Sequence, residues 1–479
     1  MPLVLGADSS TQSTKVEVRD ADDGALVGTG RAPHPVVHPP RSEQDPEVWW
    51  EALRLAAAEA TADGAHHVDA VSVAGQQHGM VVLDGDGRVL RPAKLWNDTE
   101  SAAEAGRMVA QLGATTWATR TGSVPVAAFT VTKLAWLARH EPEVALAVRS
   151  VLLPHDYLTY RLTGRRVTDR GDASGTGYFD PASGSWLCDL LDDVVGPADW
   201  ADRLPQVLGP TEPAGPPSLA GSEGLDIGPF DLVGAGTGDN MAAALGIGLA
   251  PGQACVSLGT SGTVYARSDR PVADPTGTVA GFADATGGFL PLACTLNATR
   301  VTGAVAGLLG VAPSGLDELA LATVTGSSGL TLLPYFDGER TPDRPSATGT
   351  LAGLRTGVTR EGLAAAAFEG VVCGLLDALD ALADLVPVGD GPLLLVGGGA
   401  RSAAYRRALA DLSGRTVLVP DLEEAVATGA CVQAAAALSG RHPNDVHADW
   451  GVGGGDTLVA PDPRVDAPAV RREYAALRG

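Results

Sequence analysis

Two hairpin-like stretches, about half a chain apart, share one pattern and constrain the fold more than any other feature. The first is LVLGADSSTQSTKVEV (Leu3–Val18), in which two apolar arms flank the hydroxyl-rich residues Asp8–Thr14. The second is ACVSLGTSGTVYA (Ala254–Ala266), in which two β-patterned arms flank Gly259–Thr263. Two residues suffice for a tight hairpin turn, so both loops are longer than a turn requires. The repetition predicts two halves built on one plan, divided near residues 247–252.

Each half continues with alternating strand and helix patterns. In the first half, VDAVSVAG (Val68–Gly75) has the apolar run of a buried strand. In the second half, a long apolar helix pattern at 360–385 precedes PLLLVGG (Pro392–Gly398), which leads through glycines into another helix. We therefore predict an α/β protein with two domains, 1–247 and 248–479, and a ligand cleft between them.

The charge balance bears on the partners. The net charge is −23, from 57 acidic and 34 basic residues, and lysine occurs only at positions 15, 94 and 133. The electrostatic field of a protein with this net charge repels nucleic acid and anionic membranes, so we expect a small neutral substrate or a metal-complexed anion. An alternative explanation is that the acidic residues only keep the protein soluble. The five cysteines form no C-x-x-C pair, and no signal-peptide pattern is visible at the N-terminus, which predicts a cytoplasmic protein. A homodimer is possible.

The two hydroxyl and glycine loops have the composition of phosphate-binding loops. Backbone N–H and hydroxyl groups can approach phosphate oxygens closely where no bulky side chain intervenes. Lys15 lies beside the first loop, and Asp8 offers a hard oxygen ligand suited to Mg²⁺. No lysine follows a glycine, which excludes a Walker A motif. Taken singly, either loop is more often an ordinary turn, but together they predict a nucleoside triphosphate held from two sides.

TGDNMAAALG (Thr237–Gly246) follows a strand pattern and enters a helix pattern. One interpretation of Asp239 is a helix N-cap, which is a common stabilising use of aspartate. The other is a general base at a strand end in the cleft, which accepts the proton of an attacking alcohol during phosphoryl transfer. Both can hold at once.

Two further loops carry groups that bind polyols. Amide, imidazole and carboxylate groups bind hydroxyls, and an aromatic ring covers C–H groups. A single loop histidine is more often a surface residue, so these side chains count only as a group, which comprises Gln77, His78, Trp96, Asn97 and Asp98. VGGGARS (Val396–Ser402) has small residues that would let a flat adenine approach the backbone, although glycine-rich strand exits are common.

Together these stretches resemble the FGGY family of carbohydrate kinases, over Leu3 to about Gly440. DSSTQSTK and SLGTSGT are similar to the two phosphate loops of the family, LVGGGARS to its adenosine loop, and GTGDNMAAALG to the segment that holds its catalytic aspartate. The resemblance is specific to the members that act on D-xylulose, and it rests on SEQDPEVWW, GQQHG, LWND, DASGT and PYFDGERTP.

The resemblance implies an actin-like, ribonuclease-H-like ATPase fold whose two domains close over ATP, Mg²⁺ and the sugar. It implies that Asp239 deprotonates the 5-hydroxyl of D-xylulose and that Asp8 lies near Mg²⁺ and the phosphates, with both carboxylates as metal ligands. The substrate-binding residues that it implies are Gln77, His78, Trp96, Asn97, Asp98 and Asn240. The nucleotide-binding residues that it implies are Ser10, Thr11, Lys15, Gly259, Thr260, Ser261, Gly398, Gly399 and Ala400.

Two positions depart from the family pattern. Gln77 stands where the sugar loop usually has methionine, and Ser9-Ser10 stand where many relatives have Gly-Thr. A kinase for another pentulose or polyol, such as ribulose or a pentitol, is therefore an alternative. A non-catalytic actin-fold ATPase is a second alternative, but it would have no use for sugar loops at 76–78 and 96–98. A plain α/β sugar-binding module is a third, and it would not bind ATP.

Overall fold

The computed structural model describes residues 2–62, 67–225 and 227–479, apart from the side chains of residues 454–456. The first half contains fourteen strands within these described residues: β1 (Leu3–Ser9), β2 (Ser13–Asp20), β3 (Leu26–Pro33), β4 (Glu43–Gln44), β5 (Ala70–Gly75), β6 (Val81–Leu83), β7 (Ala93–Lys94), β8 (Ser150–Leu152), β9 (Val167–Asp169), β10 (Phe179–Asp180), β11 (Ser185–Trp186), β12 (Gln206–Leu208), β13 (Leu232–Val233) and β14 (Thr237–Gly238). Its helices are α1 (Pro46–Ala60), α2 (Ala102–Leu112), α3 (Ala114–Thr121), α4 (Thr130–His140), α5 (Pro142–Ala147), α6 (Pro154–Thr163), α7 (Arg170–Ala173), α8 (Cys188–Val194), α9 (Trp200–Arg203), α10 (Leu219–Leu225) and α11 (Asp239–Gly246).

The second half repeats the alternation of strands and helices. Its strands are β15 (Ala254–Leu258), β16 (Gly262–Ala266), β17 (Ala280–Ala283), β18 (Phe289–Thr295), β19 (Thr331–Leu333), β20 (Thr350–Ala352), β21 (Leu393–Val396), β22 (Val417–Asp421) and β23 (Gly453–Val459). Its helices are α12 (Thr299–Leu309), α13 (Pro313–Leu321), α14 (Arg360–Ala383), α15 (Ala403–Ser413), α16 (Ala425–Ser439), α17 (Pro443–Trp450) and α18 (Ala467–Arg478), and a 3₁₀ turn spans Gly398–Arg401.

The first sheet has the strand order β13-β5-β1-β2-β3, and β14 also pairs with β5. The predicted opening hairpin is confirmed, because β1 and β2 pair antiparallel with Asp8 opposite Lys15. The predicted seven-residue loop is wrong, since both strands extend into it and only Ser10–Gln12 remain between them. Every residue of β1 is buried, as expected for a central strand covered by helices on both faces.

The second sheet has the order β17-β18-β16-β15-β21-β22-β23. Its hairpin of β15 and β16 confirms the second predicted pair of arms. Helix α14 is long and apolar enough to cross a membrane, but 89% of its most apolar window is buried inside the structure. It therefore serves as the central core helix of the second half, and its bounds agree closely with the predicted pattern at 360–385. The two-domain α/β fold class is confirmed.

Helix α16 belongs to the second half of the chain but packs on the first sheet. Glycines make this contact possible, because a Cβ at Gly6 would lie 2.3 Å from the carbonyl oxygen of Ala427. A Cβ at Gly429 would lie 1.9 Å from the carbonyl oxygen of Ala242 on α11. The backbones of α16, α11 and β1 therefore touch directly. The predicted division between 247 and 248 falls in the loop before β15, while α16 crosses that division in space.

Two further segments have β-type sequence patterns. The strand pattern at 231–236 yields only β13, and the chain turns at Gly236, whose φ is +79°, before β14. The stretch MVVLDGDGRVL (80–90) has the pattern of a hairpin with its turn at Asp86-Gly87, and its arms do pair: the backbone N of Leu90 donates a 3.0 Å hydrogen bond to the carbonyl of Val82, and Leu83 bridges Val89. Strand β6 also pairs with the distant strand β8.

Candidate active site

Three segments with polar side chains leave the first sheet at one edge. Strand β1 pairs parallel to β5 with Asp8 opposite Ala74, and β5 pairs parallel to β14 with Gly75 opposite Gly238. Parallel strands that end in register bring the residues that follow them together. Asp8, the loop 76–78 and Asp239 therefore meet at this edge, although 231 positions separate the two aspartates.

Asp239 is the first residue of α11. The N-cap of this helix is Gly238, which has no capping side chain, so the interpretation of Asp239 as an N-cap is wrong. Its Oδ1 accepts hydrogen bonds from the backbone N of Asn240 at 2.8 Å and from Asn240 Nδ2 at 2.9 Å. Burial, followed by the negative charge of Asp8, raises the pKa of Asp239 to about 7. A carboxylate with this pKa is suited to accept a proton near neutral pH.

Asp8 is buried at the end of β1. Its Oδ1 accepts a hydrogen bond of 2.5 Å from Ser10 Oγ, and Lys15 Nζ lies 3.7 Å from its Oδ2. Burial raises the pKa of Asp8 in spite of Lys15, whose ammonium is also 2.6 Å from Glu424 just before α16. Two interacting carboxylates, Asp8 and Asp239, offer hard oxygen ligands of the kind that Mg²⁺ prefers. The residues present therefore fit a divalent cation.

Gln77 connects the sugar loop to Asn240. Its Oε1 accepts a hydrogen bond of 2.9 Å from Asn240 Nδ2, so one amide is held between Gln77 and Asp239. The approach requires glycine at 238, since a Cβ there would lie 2.8 Å from Gln77 Cγ. The residue that departs from the family pattern therefore takes part in fixing the neighbour of the predicted base.

His78 has a φ of +64°, an uncommon backbone conformation for a residue with a side chain. Its ring packs against Phe129 and Phe282, at centroid distances of 4.9 and 5.6 Å. Burial, followed by the charges of Lys133 and Arg340, lowers the pKa of His78 to about 3, so its ring is neutral. Nδ1 lies 2.7 Å from the carbonyl oxygen of Gly175 and must donate to it, which leaves Nε2 as an acceptor for a hydroxyl.

A buried cluster of one histidine and three aspartates lies behind the sugar loop. His155 Nε2 lies 3.1 Å from Asp156, 3.3 Å from Asp172 and 3.6 Å from Asp169. Burial is the largest cause that raises the pKa of Asp172, and the charges of neighbouring aspartates, including Asp239, raise it further. Sequence reasoning missed His155, Asp156 and Asp169, because α6 and the end of β9 bring them together only in the fold.

The loop at 96–98 divides into two environments. Trp96 is half-buried, and its Nε1 donates a hydrogen bond of 2.8 Å to Thr11 Oγ1, which in turn lies 3.2 Å from Gln76 Oε1. The first phosphate loop and both sugar loops are thereby joined. Asn97 is also half-buried next to Trp96.

Asp98, by contrast, is fully enclosed. Its carboxylate lies 3.2 Å from Lys94 Nζ and accepts a 2.8 Å hydrogen bond from the backbone N of Ser42. The structure thus places Asp98 as an anchor of the loop rather than at the cleft surface. The carboxylates of Glu43, Asp98 and Glu100 lie close enough to hold a metal ion, but the ammonium of Lys94 lies among them instead.

The two predicted nucleotide loops of the second half leave adjacent strands. β15 pairs parallel to β21 with Ser257 opposite Val396, so Gly259–Ser261 and Gly398–Ala400 follow at one edge. Gly259 and Thr260 are exposed, and Thr299 Oγ1 donates a 2.8 Å hydrogen bond to the carbonyl of Gly259. A Cβ at Gly399 would lie 2.7 Å from Leu258 Cβ, so glycine is needed where the two loops touch.

Comparisons with known proteins agree with this geometry. The profile of the FGGY family of carbohydrate kinases, N-terminal domain, matches residues 3–246, and that of its C-terminal domain matches residues 254–438. A protein of Streptomyces rubiginosus named xylulose kinase is 51% identical over 461 residues, which cover 96% of this chain and 93% of that protein.

Solved structures show the same fold. The crystal structure of xylulose kinase from Bifidobacterium adolescentis has a TM-score of 0.86 and 40% identity, and the match covers 100% of this chain and 99% of that one. The structure of Plasmodium falciparum glycerol kinase with ADP has a TM-score of 0.86 at 18% identity, covers 100% and 97% of the two chains, and bears on the fold alone. The predicted two-domain actin-like kinase fold is confirmed.

Proposed function

The chain belongs to the FGGY family of carbohydrate kinases, and on that premise we propose that it transfers the γ-phosphoryl group of ATP to the 5-hydroxyl of D-xylulose. The observation that carries the proposal is the convergence of Asp8, Gln77–His78 and Asp239 at one sheet edge. The similarity to xylulose kinases over nearly the whole chain supports the choice of sugar.

Asp239 is the general base of the proposed reaction. The oxygen of the 5-hydroxyl attacks the γ-phosphorus, its proton passes to the Asp239 carboxylate, and the bond from phosphorus to the leaving oxygen of ADP breaks. Asn240 fixes the rotamer of the base through its hydrogen bonds to Oδ1, which leaves Oδ2 to accept the proton. The products are D-xylulose 5-phosphate and ADP, so atoms and charge balance.

The sugar would bind against the loops at 76–78 and 96–98. His78 Nε2 is an acceptor for a sugar hydroxyl, since Nδ1 is already used by Gly175. The indole of Trp96 is held by Thr11 and offers an apolar face to the C–H groups of the sugar. Asp98 would act indirectly, because its contacts with Lys94 and Ser42 anchor this loop.

The nucleotide would lie between the two halves. Gly259, Thr260 and Ser261 would bind phosphate from one side, and Ser10 with Lys15 would lie on the other. The short 3₁₀ turn that starts at Gly398 would accommodate the adenosine. Asp8 and Asp239 would hold Mg²⁺, which when bound neutralises phosphate charge during transfer.

A panel of acceptors tests the assignment of the sugar. Purified protein with Mg²⁺ and ATP would be assayed for ADP release with D-xylulose, D-ribulose, L-ribulose, D-xylitol and glycerol. We expect the highest kcat/KM with D-xylulose. A higher kcat/KM with a ribulose or a pentitol would change the proposed substrate but would still support the proposed kinase activity. ADP release that no sugar stimulates would contradict the proposed activity itself.

A further inference from the structure

One cation of the cleft has no partner in the mechanism described so far. Arg340 lies in the stretch PYFDGERTP, and its guanidinium forms no ion pair or side-chain hydrogen bond within the part of the chain that the structure describes. Its neighbour Glu339 does not neutralise it, because Glu339 accepts from the backbone N of Leu296 at 2.6 Å and from Asn297 Nδ2 at 2.9 Å. The half-buried guanidinium of Arg340 is therefore available to an anion from outside the chain.

The backbone on both sides of Arg340 is fixed. Glu339 is held at Leu296 and Asn297, and on the other side Thr341 Oγ1 donates a 2.7 Å hydrogen bond to the carbonyl of Cys294. Residues 294–297 continue strand β18, which pairs with β16 directly after the second phosphate loop. Arg340 is therefore held rigidly beside the loop that would bind the phosphates of the donor.

Arg340 also lies near the acceptor side. Burial and the charge of Lys133 are the larger causes that lower the pKa of His78 in the sugar loop, and the charge of Arg340 lowers it further. Burial raises the pKa of the Cys294 thiol. The charge of Arg340 lowers this pKa, and the charge of Asp239 raises it. The thiol of Cys294 is half-buried and lies near both Asp239 and Arg340. Because Thr341 also binds the carbonyl of Cys294, Arg340 lies near the acceptor side as well as the second phosphate loop.

Three other cations near the cleft have partners of their own. Lys15 pairs with Glu424 at 2.6 Å, and Lys133 donates to the carbonyls of Ala127 and Ala128. Arg300, near the second phosphate loop, lies 3.6 Å from Asp337.

We propose that Arg340 is a catalytic residue that binds the oxygens of the transferred phosphoryl group. Its planar fork of donors matches a phosphoryl group, and a positive charge placed where negative charge develops stabilises the transition state. The inference rests on the proposed kinase function but not on which sugar is the acceptor.

Steady-state kinetics with the sugar that the panel identifies as the best substrate give the first test. We expect Arg340→Met to lower kcat by about 10²–10³-fold, as for other donors to developing charge, with little change in the KM of the sugar. Arg340→Lys should retain part of the activity, and added guanidinium should partly restore Arg340→Ala. Arg355→Met is the matched control, because Arg355 is exposed on the same half of the chain and has no side-chain partner among the described residues.

Nucleotide titration without sugar gives a second readout that does not depend on turnover. Calorimetry with Mg²⁺ would compare ADP with a non-hydrolysable ATP analogue in wild type and Arg340→Met. We expect the variant to bind the analogue about tenfold more weakly and ADP unchanged, since only the analogue carries a γ-phosphate. A kcat near that of the wild type, a loss confined to the KM of the sugar, or equal binding of the analogue by both proteins would overturn the role of Arg340. A failure of D-xylulose as acceptor would leave this titration unaffected.

Discussion

Single residues of the site differ in how far sequence reasoning could identify them. Asp8 and Asp239 stand in short motifs whose composition indicates their chemistry, and the fold brings both to one sheet edge. The enclosure of Asp98 could not be predicted, because it depends on Lys94 and on the remote backbone of Ser42. The environment of His155 is also tertiary, since its three carboxylate neighbours come from α6, the end of β9 and α7.

The pH dependence of kcat/KM tests the role of Asp239 at the residue scale. Burial and the charge of Asp8 raise the pKa of Asp239 to about 7, so its carboxyl is protonated below that pH and cannot accept a proton. We expect kcat/KM for D-xylulose to fall about tenfold per pH unit on the acid side of pH 7. The measurement is ADP release, quantified directly by chromatography between pH 5.5 and 9 at fixed Mg²⁺.

Glu369 provides the matched control. It lies on α14, where it accepts a hydrogen bond from the backbone N of Gly326, and burial raises its pKa to about 7 as well. Glu369→Gln should leave the acid limb in place, because this carboxyl is in the core of the other half. A wild-type profile that is flat down to pH 5.5, or an acid limb that disappears in Glu369→Gln, would contradict the assignment.

At the scale of elements, the strands and helices with strong periodic patterns were predictable. The opening hairpin, α14 and the strand before the adenosine loop agree with the sequence patterns within a few residues. The position of α16 was not predictable, since its sequence is apolar on all sides and the identity of its partners follows from the glycines of other elements. The β pattern that contains β6 was predictable, but the pairing of β6 with the distant strand β8 was not.

The contact of α16 with α11 predicts an effect on stability. In Gly429→Ala the new Cβ would lie 1.9 Å from the carbonyl oxygen of Ala242, so the helices must separate. We expect a loss of about 1–3 kcal/mol in the free energy of unfolding, and a lower kcat because α11 begins with Asp239. Urea unfolding followed by circular dichroism measures the first effect, and the kinase assay measures the second.

Gly303→Ala is the control for this substitution. Gly303 lies within α12, and a Cβ there would meet no atom within 4 Å. The change should stabilise the protein by about 0.5–1 kcal/mol, because alanine loses less backbone entropy than glycine in a helix. Equal unfolding midpoints for the two variants would show that the contact between α16 and α11 is not as close as the structure indicates.

At the scale of the whole molecule, the two halves divide the proposed reaction. The first half carries the predicted base, the sugar loops and the first phosphate loop, while the second half carries the second phosphate loop and the adenosine loop. The repetition of hairpins predicted this division from the sequence, because each hairpin opens one sheet. The way the halves are joined, through α16 and through the contact of His78 with Phe282, emerges only from packing.

The most direct test of the account is phosphoryl transfer by Asp239→Asn, with product formation from ATP and D-xylulose followed by ³¹P NMR and binding of each ligand measured by calorimetry. We predict that kcat falls by about 10²–10⁴-fold while the sugar and the nucleotide still bind, because asparagine keeps the shape but cannot accept the proton. Asp86→Asn, at an exposed turn, should behave as wild type. D-xylulose 5-phosphate formed by Asp239→Asn at a rate near that of the wild type would contradict the account.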